Sequence, residues 1–202
     1  MMRTFGSSNH CLKVMYNYTP HNTHQHDFPN LHHKPLAKLA RELHIKQLFP
    51  GLHLDDLGNK FGDYFRDSLV LELMSSKAFA TQKTSNSVVV PLLKWSSDLF
   101  ILGGQRAYFG GLLEEIDPNM PWTFLEFDEL SWQVLYQYPR IATRRMGQMK
   151  DKLIQDLEIY FSTPVEQRTG DAWFTKAFEH EARQIGIETH DIATMMVTIY
   201  WG

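Results

Sequence analysis

The chain has 202 residues, 43% of them hydrophobic and 13% aromatic, with 20 basic residues against 23 acidic ones and a net charge of −3. That balance excludes a disordered chain, a collagen-like repeat and a coiled coil, and it leaves no excess of positive charge for a nucleic-acid partner. The one cysteine, Cys11, excludes an intramolecular disulfide framework and any cysteine-rich zinc site.

Residues 1–34 form a histidine-rich segment of poor periodicity. Eight of the ten histidines (His10, His21, His24, His26, His32, His33, His44 and His53) fall in the first fifty-odd residues among Asn, Thr and Pro, so Met1 to Lys34 is expected to be mostly irregular. No apolar run marks a signal peptide there. The longest late apolar stretch, Ile192 to Gly202, is about half the ~20 residues that span a bilayer. The chain is therefore expected in the cytoplasm by default, without a membrane anchor. Asn17-Tyr18-Thr19 matches a glycosylation acceptor by chance.

From residue 35 onward the period is helical. A helix is expected from Pro35 to Phe49 with Leu36, Leu39, Leu43 and Leu48 on one side, stopped by Pro50-Gly51. Leu54, Leu57, Phe61, Tyr64, Phe65, Leu69 and Leu73 then define one amphipathic helix. Ser75 to Ser87 reads as loop. Pro91 opens a helix through Leu92, Trp95, Leu99 and Leu102 that ends at Gly103-Gly104. Thr123-x-x-Glu126 fits a capping box behind Pro121, and Tyr138-Pro139 should end that helix. The clearest helix, from about Ile141 to Phe161, has Met146, Met149, Leu153, Leu157, Tyr160 and Phe161 on one face and Arg144, Arg145, Lys152, Asp156 and Glu158 on the other. Another runs from about Asp171 to Ile185, with Gly186 at its C′ position. After Thr189 comes a helix that is apolar all round, from Ile192 to Trp201, and such a helix is built to be buried centrally. That it runs to the last residue is expected of a truncated protein. Only Ser87-Val88-Val89-Val90 hints at a strand, so the fold class is all-α with little or no sheet, and residues 35–202 form its helical part.

The motifs that carry chemistry are sparse. His24-x-His26 with Asp27, or His32-His33, offers ligands for zinc, copper or nickel, but a metal site needs rigidly held ligands and this segment lacks periodicity. His180-Glu181-x-x-Gln184 is one histidine short of the zinc-protease pattern and reads as a helix surface. Gly103-Gly104 and Gly110-Gly111 lack the context of a phosphate loop and read as helix termini and turns. Arg140, Arg144, Arg145, Lys150 and Lys152 lie among Asp151, Asp156 and Glu158, a solvated face. No catalytic residue is assigned.

Pro91-Leu92-Leu93-Lys94-Trp95 leading to Ala107-Tyr108-Phe109-Gly110 is similar to a helix pair in the first half of fungal microsomal cytochrome P450 monooxygenases, a family whose order of elements the chain resembles. Phe127-Asp128-Glu129, Tyr138-Pro139-Arg140, Arg144-Arg145-Met146 and Lys152-Leu153 resemble its helices over the substrate pocket. Thr4-Phe5-Gly6-Ser7-Ser8 and His32-His33-Lys34 resemble its approach to the haem edge, which makes His33 a haem-edge candidate. Ile192-Ala193 through Ile199-Tyr200-Trp201-Gly202 looks like the opening of the central helix above the haem. The resemblance implies a haem-dependent oxidoreductase of fungal secondary metabolism, anchored at full length in the endoplasmic reticulum membrane.

The departures decide what the likeness implies here. No glutamate is followed three residues on by arginine, so the family's Glu-x-x-Arg pair is missing, as is its oxygen-activating segment. Cys11 stands at the wrong end for the axial ligand. P450 chemistry needs a cysteine thiolate on the haem iron, so the expectation is an internal, N-terminal-half fragment, inactive as a monooxygenase and holding no cofactor of its own. The alternatives are a small helical protein-interaction module with no partner identifiable, and a His-rich metal-binding protein using His24 and His26.

Overall fold

A computed structural model describes residues 7–20, 33–136, 138–139 and 143–201. Among them helices are the only regular elements, with two isolated bridges, Thr81 to Val89 and Phe109 to Asp171, in place of any strand. The all-α expectation holds.

The first helix, α1 (Asn9–Asn17), lies in the segment expected to be mostly irregular. Nine residues are too few for a stable isolated helix, and tertiary contacts supply the rest. Ser8 caps it, its hydroxyl accepting from the Cys11 amide at 2.9 Å, while Cys11, Val14 and Met15 point into the core. Ser8 also donates twice to Asp191, from its amide at 3.1 Å and its hydroxyl at 2.9 Å.

Helix α2 (Leu36–Leu48) buries Leu36, Leu39 and Leu43 as the spacing predicts, but Leu48 is exposed and Gln47 takes the buried place. The Gln47 amide joins three elements. It donates to the His53 carbonyl at 2.7 Å and accepts from the Phe174 amide at 2.9 Å, satisfying an N-terminal donor of α10 where Ala172 has no side chain to do so.

The expected helix to Leu73 breaks in two, α3 (Leu52–Ser68) and α4 (Leu71–Ser76), with extended backbone at Val70. The apolar stripe continues across the break, which is why spacing alone does not reveal it. Helix α5 (Leu92–Phe109) runs straight through Gly103-Gly104 instead of ending there. A Cβ on Gly103 would lie 2.7 Å from the Phe61 ring, so this glycine serves the close approach of α3 to α5. Gly110 is the true terminus. Its φ of +67° and the Thr169 carbonyl, 2.0 Å from where a Cβ would stand, both demand glycine.

Three short helices follow: α6 (Leu112–Ile116), α7 (Met120–Leu130) and α8 (Trp132–Leu135). The capping box does not form. Helix α7 starts four residues earlier, behind an N-cap at Asn119 and with Pro121 in its first turn, and the Thr123 hydroxyl donates back to the Asn119 carbonyl at 3.3 Å. Helix α7 also ends at Leu130, well before Tyr138-Pro139.

Helix α9 (Arg144–Ser162) packs on α7 and α11, and α10 (Trp173–Gln184) on α2. Gly186 follows α10 with φ +79°, as its sequence position predicts. Helix α11 (Thr189–Trp201) is enclosed on every side from Asp191 to Val197 and half-buried at Thr198, Ile199 and Tyr200. Asp156 departs from the expected solvated face. It is 1% exposed, and Lys152 bridges it at 2.6 Å and Asp117 at 3.0 Å.

Candidate ligand cleft

Helix α2 carries a second stripe beside its leucines. Ala37, Ala40, Arg41, His44 and Leu48 follow at three- and four-residue steps, and so share a face. The two alanines are small enough to leave space between this face and α10 and α11. Two cavities fill that space, of about 300 Å³ and 290 Å³. They share a dividing wall of His44, Phe174 and Ile199. The first reaches Met15, Phe178 and Met195, and the second reaches Tyr108, Met196 and Tyr200.

Besides Arg41 in the first cavity and the Tyr200 hydroxyl in the second, the polar side chains inside are His44 and Tyr108. The imidazole Nε2 stands 3.2 Å from the Tyr108 hydroxyl, and its ring lies 4.8 Å from that of Phe174. Burial lowers the His44 pKa and raises that of Tyr108, so both are neutral near pH 7. No thiol or carboxylate lines either cavity. A neutral His–Tyr pair among apolar walls orients a ligand by hydrogen bonds and supplies no activated nucleophile.

The residues singled out in the sequence lie elsewhere. His33 is exposed with φ +48°, its carbonyl accepting from Thr19 at 3.1 Å, and it borders neither cavity. His24, His26 and His32 fall outside the described residues. Among those that are described, no group of three or more His, Cys, Asp or Glu side chains converges as metal ligands would. His180 and Gln184 meet each other at 2.6 Å along α10. Glu181, between them, turns inward instead. It is 1% exposed with neither carboxylate oxygen hydrogen-bonded, and burial pushes its carboxyl up to about 7.

Cys11 does not fit a haem iron. It is 1% exposed inside the α1 contact, and burial, reinforced by the Asp191 charge, pushes its thiol up to about 12. A thiol held protonated by its surroundings is not the thiolate that such chemistry uses. The sequence reading missed the cleft because alanine, arginine and histidine do not register as an apolar stripe. The available signal was Ala37 and Ala40, one turn apart, leading to His44 on the face beside the leucines.

No helix among the described residues is long and apolar enough to cross a membrane. The chain matches no family model, no curated protein and no solved structure.

Proposed function

We propose that the chain is a cytochrome P450-like helical unit, similar to the part of that fold that precedes and opens the central helix, and that its 202 residues alone do not carry out monooxygenation. The observation that carries this reading is α11: a helix apolar on all sides, enclosed from Asp191 to Val197 by α9 and its neighbours. The resemblance quoted for Ala107 to Gly110, Phe127-Asp128, Arg144 to Met146 and Lys152-Leu153 gives that helix its proposed counterpart; Thr4 to Gly6, His32 and Arg140 lie outside the described residues. Two chemical observations support the proposed lack of catalysis. The one thiol is walled into the core and held protonated, and no Glu-x-x-Arg pair occurs in the sequence.

Expression with a haem precursor, followed by a reduced-carbon-monoxide difference spectrum, tests the inactive reading. No thiolate-type Soret band is expected, and its appearance would overturn the proposal. The genomic DNA beyond the Gly202 codon tests the likeness itself: an in-frame continuation carrying a Glu-x-x-Arg pair and a cysteine loop would support it, and an immediate stop codon would count against it.

A second reading, a helical interaction module, draws on the surface of the α4–α5 region. Leu92, Leu93 and Phe100 are 74%, 79% and 59% exposed, an apolar surface of the kind that marks contact sites. A stoichiometric partner retained through size exclusion, and lost on replacing Leu93 and Phe100 by serine, would favour this reading over the first.

A further inference from the structure

The mouth of the first cavity is built for an anion that carries an apolar body. Arg41 lines it, is exposed, and makes no ion pair with any described residue. The nearest acid on its own helix, Glu42, is taken by Lys34 at 2.6 Å. Neither cavity has a carboxylate in its lining, so nothing inside neutralises the guanidinium or would welcome a cationic ligand. Behind Arg41, His44 is the one polar side chain, and the other surfaces, Ala37, Ala40, Phe174, Phe178, Met195 and Ile199 among them, are apolar.

We infer that the cleft binds an amphipathic monocarboxylate, a long-chain fatty acid or a compound of that shape, with its carboxylate on Arg41 and its chain along the Phe174–Ile199 wall. A guanidinium takes a carboxylate through two parallel N–H···O bonds, which fixes the head group. The apolar walls then gain from excluding water from the chain. A neutral apolar ligand would leave the arginine unused, and a cationic one would be repelled by it. His44, in the shared wall, and Tyr108, beyond it, would give a second polar group on the ligand a hydrogen-bond partner. This site neither needs nor excludes haem, so it stands independently of the function proposed above.

Isothermal titration of the full, haem-free chain with dodecanoate and with dodecanol, both below their micellar concentrations, tests it. The acid should bind about tenfold or more tightly than the alcohol, since a charged hydrogen-bonded pair separates them. Arg41→Gln, an exposed position that leaves folding intact, should abolish that preference and leave dodecanol binding unchanged. Ala40→Leu, which narrows the cavity, should weaken both ligands, with circular dichroism confirming the fold. Equal binding of acid and alcohol, an unchanged preference in Arg41→Gln, unchanged affinities in Ala40→Leu, or no binding of dodecanoate would each overturn the inference.

Discussion

The centre of the molecule and its α3–α5 arm use similar amphipathic helices in opposite ways. Around α9 and α10 the buried face is complete and even encloses charge. The Arg168 side chain is wholly buried, paired with Glu179, 3.8 Å from Asp171, and stacked 4.8 Å over the Tyr160 ring. Arg183 reaches in from the surface to the second oxygen of Glu179 at 2.9 Å and to the Phe161 carbonyl at 2.7 Å. Burial pushes the Asp171 carboxyl up while Tyr160 and Arg168 pull it down. In the arm, seventeen-residue α3 buries Leu57 alone, and Leu69, Val70 and Leu73 near its end stay about half exposed. A hydrophobic stripe predicts a helix equally well in both places. What covers the stripe is a property of the neighbours.

Four substitutions would sharpen or break that contrast. Arg168→Met should be the most damaging. It leaves the buried Asp171 carboxylate without its guanidinium and Glu179 with Arg183 alone, at a cost of about 3–5 kcal/mol in urea denaturation; a loss below about 1 kcal/mol would mean that water reaches the cluster. Gly110→Ala comes next, at about 1–3 kcal/mol for the positive φ alone, with the clash against Thr169 added to it. Normal stability in that variant would show that the joint between α5 and residues 169–172 is looser than described.

Glu181 makes the centre pH-dependent. Its carboxyl holds a proton in the fold up to about pH 7 and loses it near the ordinary 4.5 once the chain unfolds. Between those values the unfolded state binds fewer protons, so stability falls as pH rises through the window. Glu181→Gln should flatten that slope and add about 1–3 kcal/mol at about pH 8. Unchanged slopes in the variant would remove Glu181 as the cause. The smallest effect belongs to the arm. Gly62, inside α3, has nothing within 4 Å of where a Cβ would stand, so Gly62→Ala should gain about 0.5–1 kcal/mol. A loss instead would reveal a contact on that face.

Much of the fold is legible in the sequence because most of it is written as local spacing. Leu36, Leu39 and Leu43, or Met146, Leu153, Leu157 and Tyr160, identify both the helix and its inner face. Helix α1 escapes such reading because its stability comes from Asp191, far along the chain. Gly103 reads as a stop from sequence, yet in space it is a seat for Phe61. Asp156 and Lys152 look like a solvated pair until Asp117 is brought beside them by α6. The cleft was hidden for the same reason: its walls belong to five helices, and the stripe contributed by α2 consists of small and polar residues whose meaning depends on what they face.

The double hydrogen bond from Ser8 to Asp191 spans 183 residues of sequence. On a ribosome α1 emerges long before α11, yet its apolar face and its cap find their partners only when α11 has followed. Contacts of that separation carry the largest loop-closure entropy in the chain and form late. A helix made well before its partner is thus among the last to settle. Cys11 is then less open to oxidation and alkylation after α1 docks than before, because docking buries the thiol and sets it beside the Asp191 carboxylate, which disfavours the thiolate.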